Sequence, residues 1–356
     1  MDLEVIATIF TFGKFLALTP SSMNNHNPHC LQKFYEICVV YLLQVTGFFA
    51  NIYCVVYQNL ASMQLVLAIL SDLIHFSYVF YILIVMMRVR RSRWFRLIKS
   101  LAAVQSAPKT IPLKLIFVAS QLVYYCLTAF GAYADIDRAS LTVAAFNMGV
   151  FYHFYAMFFY LVCESILLIL LHSRYEGVSE SLSQLIKGRS QLHSKQIVEI
   201  LKKIKKSVLT LKEGVEVFND IFGWSILFTI FSCVNRTLVY IDVVIKHSDL
   251  WLGPHVLVLY HDVFRILTSW VGILSTIFLC DSILKKCDEI LANAYRLGGH
   301  LTSDGNEEIQ VFIDAVLHNR PQFTAARFFC IDRSTLFSVL NSLTTFLLVI
   351  IQFKEM

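Results

Sequence analysis

The sequence predicts an all-α polytopic membrane protein with seven transmembrane helices, a cytosolic N-terminus and an extracellular C-terminus. Of its 356 residues, 57% are hydrophobic and 15% are charged, and the mean hydropathy is +0.63. This is more apolar surface than a soluble domain needs to fill its core. Apolar stretches of about 20 residues, the length of a helix that crosses the bilayer, alternate with clusters of basic residues.

Seven apolar stretches are long enough to be such helices. In chain order they are Phe34 to Tyr57, Met63 to Met87, Ile111 to Tyr133, Leu141 to His172, Val217 to Ile245, His255 to Cys280 and Ser334 to Phe353. The apolar residues before them, Val5 to Leu18, are broken by Gly13 and Lys14 and predict a short interfacial helix. A single membrane domain spanning residues 1–356 accounts for the chain.

Basic residues determine the predicted orientation, because Lys and Arg concentrate in cytosolic connections. They cluster after the second, fourth and sixth spans, from Arg88 to Lys109, from Arg174 to Lys212 and from Lys285 to Arg333. The alternate connections carry little beyond Arg138 and Lys246. The net charge of +5 therefore follows from membrane topology and does not indicate nucleic-acid binding.

Two of the basic connections have distinct patterns. Between Arg174 and Leu211, apolar residues recur at helical spacing opposite a lysine-rich face, which predicts a helix that projects from the membrane. That helix either lies on anionic headgroups or packs into a cytosolic collar with other subunits. The connection from Asp281 to Asn319 contains Gly298, Gly299 and a polar run, and it predicts a flexible loop.

Polar residues share one face of the last predicted helix. They are Ser334, Ser338, Asn341, Thr345 and Gln352, with Leu348 and Val349 on the same face. Such a stripe forms hydrogen bonds between helices in lipid, or it lines a water-filled pore enclosed by several copies of the chain. In the second case Leu348, Val349 and Phe353 would form an apolar constriction beside Gln352.

Three short segments carry a family resemblance. They are residues 345–353 (TFLLVIIQF), residues 321–332 (PQFTAARFFCID) and residues 218–224 (FNDIFGW). They resemble, in that order, the closing Thr-Tyr, five apolar residues, Gln-Phe signature, the Phe-Thr-Ala-x-Gly-Phe-Phe-x-Ile-Asp run and the Asn-x-x-Phe-Gly element of insect gustatory receptors. Phe346 stands where the family usually has Tyr, and Arg327 where it usually has Gly.

The resemblance implies a ligand-gated, nonselective cation channel of the plasma membrane, opened by a small-molecule tastant. Bitter compounds are favoured, with sugars as the other class. It implies a homo- or hetero-tetramer with other gustatory receptors in membrane lipid, in which the seventh helices line the pore. Gln352 and Phe353 would lie at the gate, beside Val349, Leu348 and Thr345. Residues 1–280 would bind ligand, and residues 281–356 would supply a cytosolic anchor and the pore helix.

The family places its ligand pocket in the outward-facing half of helices two to six. Polar groups at that depth are costly and are therefore candidates for ligand contact. The candidates are Asp72, Gln121, Tyr124, Asn147, Tyr152, His153, Arg236, Tyr240, Tyr260, His261, Asp262, Arg265 and Trp270. Arg265 has two candidate ion-pair partners, Asp72 on another helix and Asp262 three residues earlier on its own helix.

Other classes of function fit the sequence less well. It contains no recognisable Gly-rich phosphate loop, metal-ligand constellation or nucleophile motif, so neither an enzyme nor a cofactor is predicted. A G-protein-coupled receptor would have the opposite orientation, and a secondary transporter would have broken spans paired across two halves. An odorant receptor of the same superfamily is the nearest alternative, which the closing Thr-x6-Gln-Phe pattern disfavours.

Overall fold

The computed structural model describes residues 4–19, 34–39, 62–89, 91–105, 112–138, 141–188, 193–246, 256–298 and 303–355. Most of these residues are helical. The helices are α1 (Glu4–Phe15), α2 (Ser62–Phe80) with a π-helical continuation (Tyr81–Val89), α3 (Arg91–Ala103), α4 (Leu113–Arg138), α5 (Leu141–Gly188), α6 (Ser194–Lys246), α7 (Val256–Gly298), α8 (Ser303–His318) and α9 (Arg333–Glu355). Residues 34–39 are also helical.

Within the described part of the chain, six helices are long and apolar enough to cross a membrane: α2, α4, α5, α6, α7 and α9. They correspond to the second to seventh predicted spans. Of the first predicted span, residues 34–39 lie in the described part and the remainder lies outside it.

Three helices are much longer than a bilayer is thick. Helices α5, α6 and α7 contain 48, 53 and 43 residues, which at about 1.5 Å per residue is roughly twice the hydrocarbon thickness. Their excess lengths pack together with α8, and Asn293 of α7 donates a hydrogen bond to Ser183 of α5 there. We call this second bundle the anchor bundle.

The anchor bundle confirms one prediction and corrects another. Ile197, Leu201 and Ile204 of α6 are buried while the interleaved lysines are largely exposed, as the amphipathic pattern predicts. The flexible loop predicted at Asp281 to Asn319 is wrong, since α7 continues to Gly298 and α8 fills most of the rest. The buried apolar residues of these two helices include Ile283, Ile290, Ala294, Leu297, Ile309, Phe312, Ile313 and Val316, all in the same core cluster.

A two-stranded antiparallel hairpin interrupts the all-α fold just before α9. Its strands are β1 (Thr324–Ala325) and β2 (Phe329–Cys330). The turn between them holds Ala326 and Arg327 at φ angles of 51° and 66°, the left-handed region that glycine normally occupies. The sequence did not predict this hairpin, because no glycine or asparagine marks its turn.

The predicted N-terminal helix is present as α1, and its apolar face packs on the chain itself. The ring of Phe10 meets Trp94 of α3 edge-on, with centroids 5.5 Å apart. The hydroxyl groups of Tyr152 and Tyr160 on α5 donate hydrogen bonds to the carbonyl oxygens of Leu16 and Leu18, each at 2.8 Å. These contacts fix the segment after α1 against α5.

Candidate ligand pocket and pore-lining helix

A cavity lies between α4, α5, α6 and α7, and we call it the arginine pocket. Its lining residues are Tyr124, Leu127, Thr128, Phe151, Phe154, Met157, Phe158, Leu161, Thr229, Ser232, Arg236, His261, Arg265, Thr268 and Ser269. Helix α5 contributes residues at spacings of three and four, so one helical face forms the apolar wall. The volume is about 50 Å³, which has room for a few water molecules.

Two arginines meet one aromatic ring in this cavity. The guanidinium carbons of Arg236 on α6 and Arg265 on α7 lie 3.7 and 3.3 Å from the centroid of Phe154 on α5, within cation–π distance. Arg265 also lies 4.0 Å from the carboxylate of Asp262, the pairing within its own helix. The Nε atom of Arg236 is buried and has no hydrogen-bond partner among the described residues.

A histidine that the sequence did not single out packs edge-on against the same ring. His75 on α2 is buried, and its ring centroid lies 4.7 Å from that of Phe154. Its Nε2 atom lies 3.1 Å from the hydroxyl of Ser232 and its Nδ1 atom 3.4 Å from that of Ser71. Nothing in the sequence distinguishes His75 from a histidine that serves only packing.

The structure brings four of the predicted ligand residues to the cavity: Tyr124, Arg236, His261 and Arg265. They come from three different helices. The hydroxyl of Tyr124 donates a hydrogen bond to the Phe151 carbonyl at 3.4 Å, and its ring stacks on Phe158 at 4.6 Å. Its ring therefore belongs to the aromatic wall.

Other predicted residues have partners away from the cavity. Gln121 accepts a hydrogen bond of 2.7 Å from Tyr155. Tyr152 donates a hydrogen bond to the Leu16 carbonyl after α1, and Trp270 donates one to Thr237 at 3.1 Å. His153 is buried and Tyr260 is exposed. Residues Asp72, Tyr240, Tyr260, His153 and Asp262 are absent from the described lining. Asn147 lies in α5, with its side chain outside the described part.

Helix α9 presents its polar stripe away from its own chain. Ser334, Ser338, Asn341, Thr345, Leu348 and Gln352 are all exposed. The residues of α9 that pack on this chain are Leu336, Val339, Leu343 and Ile350. At about 100° per residue they lie about 140–200° from Ser334, on the opposite side of the helix. Val349 is partly buried, and Phe353 lies within the helix near its end.

Two of the segments that carry the family resemblance pack against each other. The side chain of Asn219 on α6 donates to the Gln322 carbonyl at 2.6 Å and accepts from the Thr324 amide at 3.1 Å. One turn later, a Cβ atom on Gly223 would lie only 2.8 Å from the backbone nitrogen of Ala326. Glycine is therefore required for this close approach. We call residues 218–224 together with residues 322–327 the hairpin junction.

Asp220 joins three elements at the hairpin junction. It forms ion pairs with Arg93 of α3 and, at 3.2 Å, with Arg327 of the hairpin turn. The Arg327 side chain is 84% exposed, so its pair with Asp220 is weak. The structure thus gives Arg327 a partner at the position where the resembled family usually has glycine, although the backbone there is left-handed.

The hairpin leads into α9 through a capping residue. The Asp332 carboxylate accepts hydrogen bonds from the Ser334 and Thr335 amides at 2.9 and 3.1 Å, the N-cap arrangement. The Ser334 hydroxyl, 2.6 Å away, lowers the pKa of Asp332 below its usual value, and the backbone amides act in the same direction. Arg333 pairs with Asp281 of α7 at 2.8 Å, which fixes the start of α9.

The chain is similar in sequence to a known protein family and to one receptor of known name. A family model described as 7tm Chemosensory receptor matches residues 6–356. Over 48 residues the chain is 44% identical to Gustatory and pheromone receptor 32a of Drosophila melanogaster, a stretch covering 14% of this chain and 10% of that receptor.

The whole fold also resembles solved structures. The insect olfactory receptor OR5 from Machilis hrabei superposes with a TM-score of 0.68 at 13% identity, covering 98% of this chain and 97% of that one. Its complex with eugenol gives 0.69 at 15% identity, covering 99% of both chains. At these identities the likeness shows a shared fold.

Proposed function

Because the chain belongs to the 7tm chemosensory receptor family of insects, and is therefore a multi-pass membrane protein, we propose that it is a gustatory-type receptor: a nonselective cation channel opened by a small-molecule tastant. The proposed assembly is a homo- or hetero-tetramer of seven-helix chains, with N-termini in the cytosol and C-termini outside. The basic anchor bundle would then lie in the cytosol and join the subunits, in keeping with the distribution of Lys and Arg.

One observation carries the channel proposal. The polar stripe of α9 is exposed and lies opposite the face that packs on its own chain. In a lone chain this stripe would meet lipid, where polar side chains are unfavourable. Around a symmetry axis, the same stripes from several chains would line a shared aqueous path.

The gate is proposed at the far end of that stripe. Leu348 is exposed and Val349 is partly buried, so an apolar ring formed by copies of these residues would close the path by dewetting. Phe353 would complete this ring. Thr345 and Gln352 would border it and supply polar groups to passing cations.

The arginine pocket is the proposed tastant site. It combines an aromatic wall with a few polar groups that converge on one space, the usual make-up of small-molecule sites. The eugenol complex of a receptor with the same fold supports binding of a small molecule within this helical architecture. Because the present volume is small, ligand entry requires side chains of the aromatic wall to move.

An odorant receptor is the second candidate, since the solved structures with this fold are of an olfactory receptor. The gustatory assignment is favoured by the closing Thr-x6-Gln-Phe pattern and by the identity with the Drosophila gustatory receptor. The two are separated by challenging cells that express the chain with soluble bitter compounds and sugars on one side and volatile odorants on the other. Responses confined to volatile compounds would contradict the gustatory assignment.

The channel proposal is tested by cysteine modification during ligand-evoked current. Thr345→Cys lies on the polar stripe, and Leu343→Cys is a matched control on the face that packs on the chain. A charged, thiol-reactive methanethiosulfonate added to open channels should block most of the current through Thr345→Cys and leave Leu343→Cys and the wild type unchanged. Equal sensitivity of both variants, or none in either, would contradict a pore lined by this stripe.

A further inference from the structure

The arginine pocket contains an excess of positive charge. Arg236 and Arg265 belong to its lining, and the described lining contains no Asp or Glu. Asp262 lies beside the lining, 4.0 Å from Arg265, with a side chain that is 45% exposed. The described lining itself therefore carries two guanidinium groups and no carboxylate.

The ring of Phe154 stabilises the Arg236 guanidinium only in part. A ring contact offers a guanidinium its face but no hydrogen-bond acceptor. The buried Nε atom of Arg236 has no acceptor among the described residues. Charged groups at membrane depth are unfavourable unless they are paired, so an acceptor brought in by a ligand would stabilise this site.

Three hydroxyl groups of the lining already have acceptors. The hydroxyls of Thr229, Thr268 and Ser269 donate to carbonyl oxygens within their own helices. An anion in the cavity would therefore find its principal donors in Arg236 and Arg265, whose planar groups suit a carboxylate. The remaining wall is aromatic or aliphatic, including Tyr124 stacked on Phe158.

Resting on the function proposed above, we propose that the arginine pocket selects small organic anions: a carboxylate attached to a short apolar or aromatic body. Arg236 and Arg265 share the carboxylate, and the body packs against Tyr124 and Phe158. A neutral ligand of the same shape binds more weakly, because it buries both guanidinium groups without supplying a charged acceptor.

The test compares matched acids and neutral analogues on the full chain expressed in cells. Benzoate and hexanoate are applied against benzamide and hexanamide at neutral pH. We expect half-maximal current at a concentration at least about tenfold lower for each acid, as for a charge-assisted hydrogen bond. Arg236→Gln and Arg265→Gln should each abolish that preference. Arg320→Gln, which removes an exposed arginine just after α8 that pairs with Asp288 of α7, should keep it.

A second measurement does not depend on channel opening. The thermal unfolding of the purified full chain is followed with benzoate or benzamide, and benzoate alone should raise the melting temperature of the wild type. If benzoate stabilises the protein but evokes no current, the pocket assignment stands and the channel proposal fails. If amides evoke current or stabilise the protein as well as the acids do, the pocket assignment is overturned while the channel proposal stands. If neither class acts in either measurement, the pocket assignment is also overturned.

Discussion

Helix α6 contributes to both the hairpin junction and the arginine pocket, and its charged residues have different partners in the two regions. In the hairpin junction, Asp220 meets two arginines, and the backbone of the hairpin lies directly on Gly223. In the arginine pocket, about 16 residues further on and hence about 24 Å away along the helix, Arg236 shares one aromatic ring with a second arginine beside a cavity. The junction pairs its charges and leaves no space at Gly223, whereas the pocket has a cavity whose described lining carries two arginines and no carboxylate.

This contrast explains why the family is easier to recognise than the ligand. The hairpin junction needs particular residues for geometric reasons, namely an Asn219 amide that hydrogen-bonds a carbonyl and an amide of one backbone segment and a Gly223 on which the hairpin backbone packs. Such requirements leave a recognisable pattern in the sequence. The pocket requires only apolar walls and a few charges, which a membrane-spanning sequence can supply at many positions. We expect mutations in the junction to change folding and mutations in the pocket to change ligand response.

The largest loss of stability is expected when a side chain is added at Gly223 in the hairpin junction. Gly223→Val places side-chain atoms where the Ala326 backbone lies, so the hairpin must move, and we expect a loss of about 3 kcal/mol in the free energy of unfolding. Gly188→Val is the matched control, because a Cβ atom there has nothing within 4 Å. Fluorescence-detected size-exclusion chromatography should show little monodisperse protein for Gly223→Val alone. Normal profiles for both variants would contradict the tight junction.

The next test compares one charge from each region. Asp220→Asn should lower the free energy of unfolding by about 1 kcal/mol, since it leaves two partly exposed arginines without their partner. Arg236→Met should raise it by about 1 kcal/mol, because an apolar side chain of similar length replaces a buried charge. Thermal unfolding of the purified variants measures both. Changes of the same sign would contradict the proposed difference between the regions.

Arg327 provides a smaller test of the hairpin turn. Its left-handed backbone costs a non-glycine residue about 1 kcal/mol, while its exposed ion pair contributes at most about that much. Arg327→Gly removes both effects and should be close to neutral. Arg327→Ala removes the ion pair but keeps the strain, so it should be less stable than Arg327→Gly by about 1 kcal/mol. Equal melting temperatures for the two variants would show that the turn is relaxed.

The smallest expected effect is a change at Asp332 in how the stability of the folded protein falls at acidic pH. The hydrogen bond from Ser334 lowers the pKa of Asp332 in the folded protein. The stabilisation is therefore fully present above the unfolded pKa of about 3.9 and is lost as the pH falls through the lower folded pKa. Asp332→Asn keeps a good N-cap, so it should match the wild type at neutral pH and lose less stability on acidification. Thermal unfolding measured at a series of acidic pH values checks this difference.

The sequence predicted the features that depend on composition and spacing. Stretches of apolar residues located six of the helices, and the repeat of polar residues from Ser334 to Gln352 located the exposed face of α9. The position of Arg236 and Arg265 within apolar spans marks them as candidate ligand contacts. These signals are local, so the sequence alone carries them.

Features that depend on distant contacts could not be predicted. Phe154 is one of 29 phenylalanines, and only the fold shows that two arginines meet it. Two glycines suggested a loop after Asp281, whereas buried apolar residues pack α7 up to Gly298 and α8 from Ser303 as helices. The sequence does not indicate the hairpin turn, because Ala326 and Arg327 adopt a left-handed conformation that their side chains disfavour.

The most direct test of the central claim is the current across a planar bilayer that contains only this purified chain. A ligand shown to stabilise the protein is added, and unitary currents are recorded under opposing Na⁺ and K⁺ gradients. We predict discrete ligand-evoked steps that discriminate weakly between the two cations and that disappear when Thr345→Cys is modified. A silent bilayer, in the presence of folded and ligand-stabilised protein, would contradict the claim that this chain itself forms the conducting path.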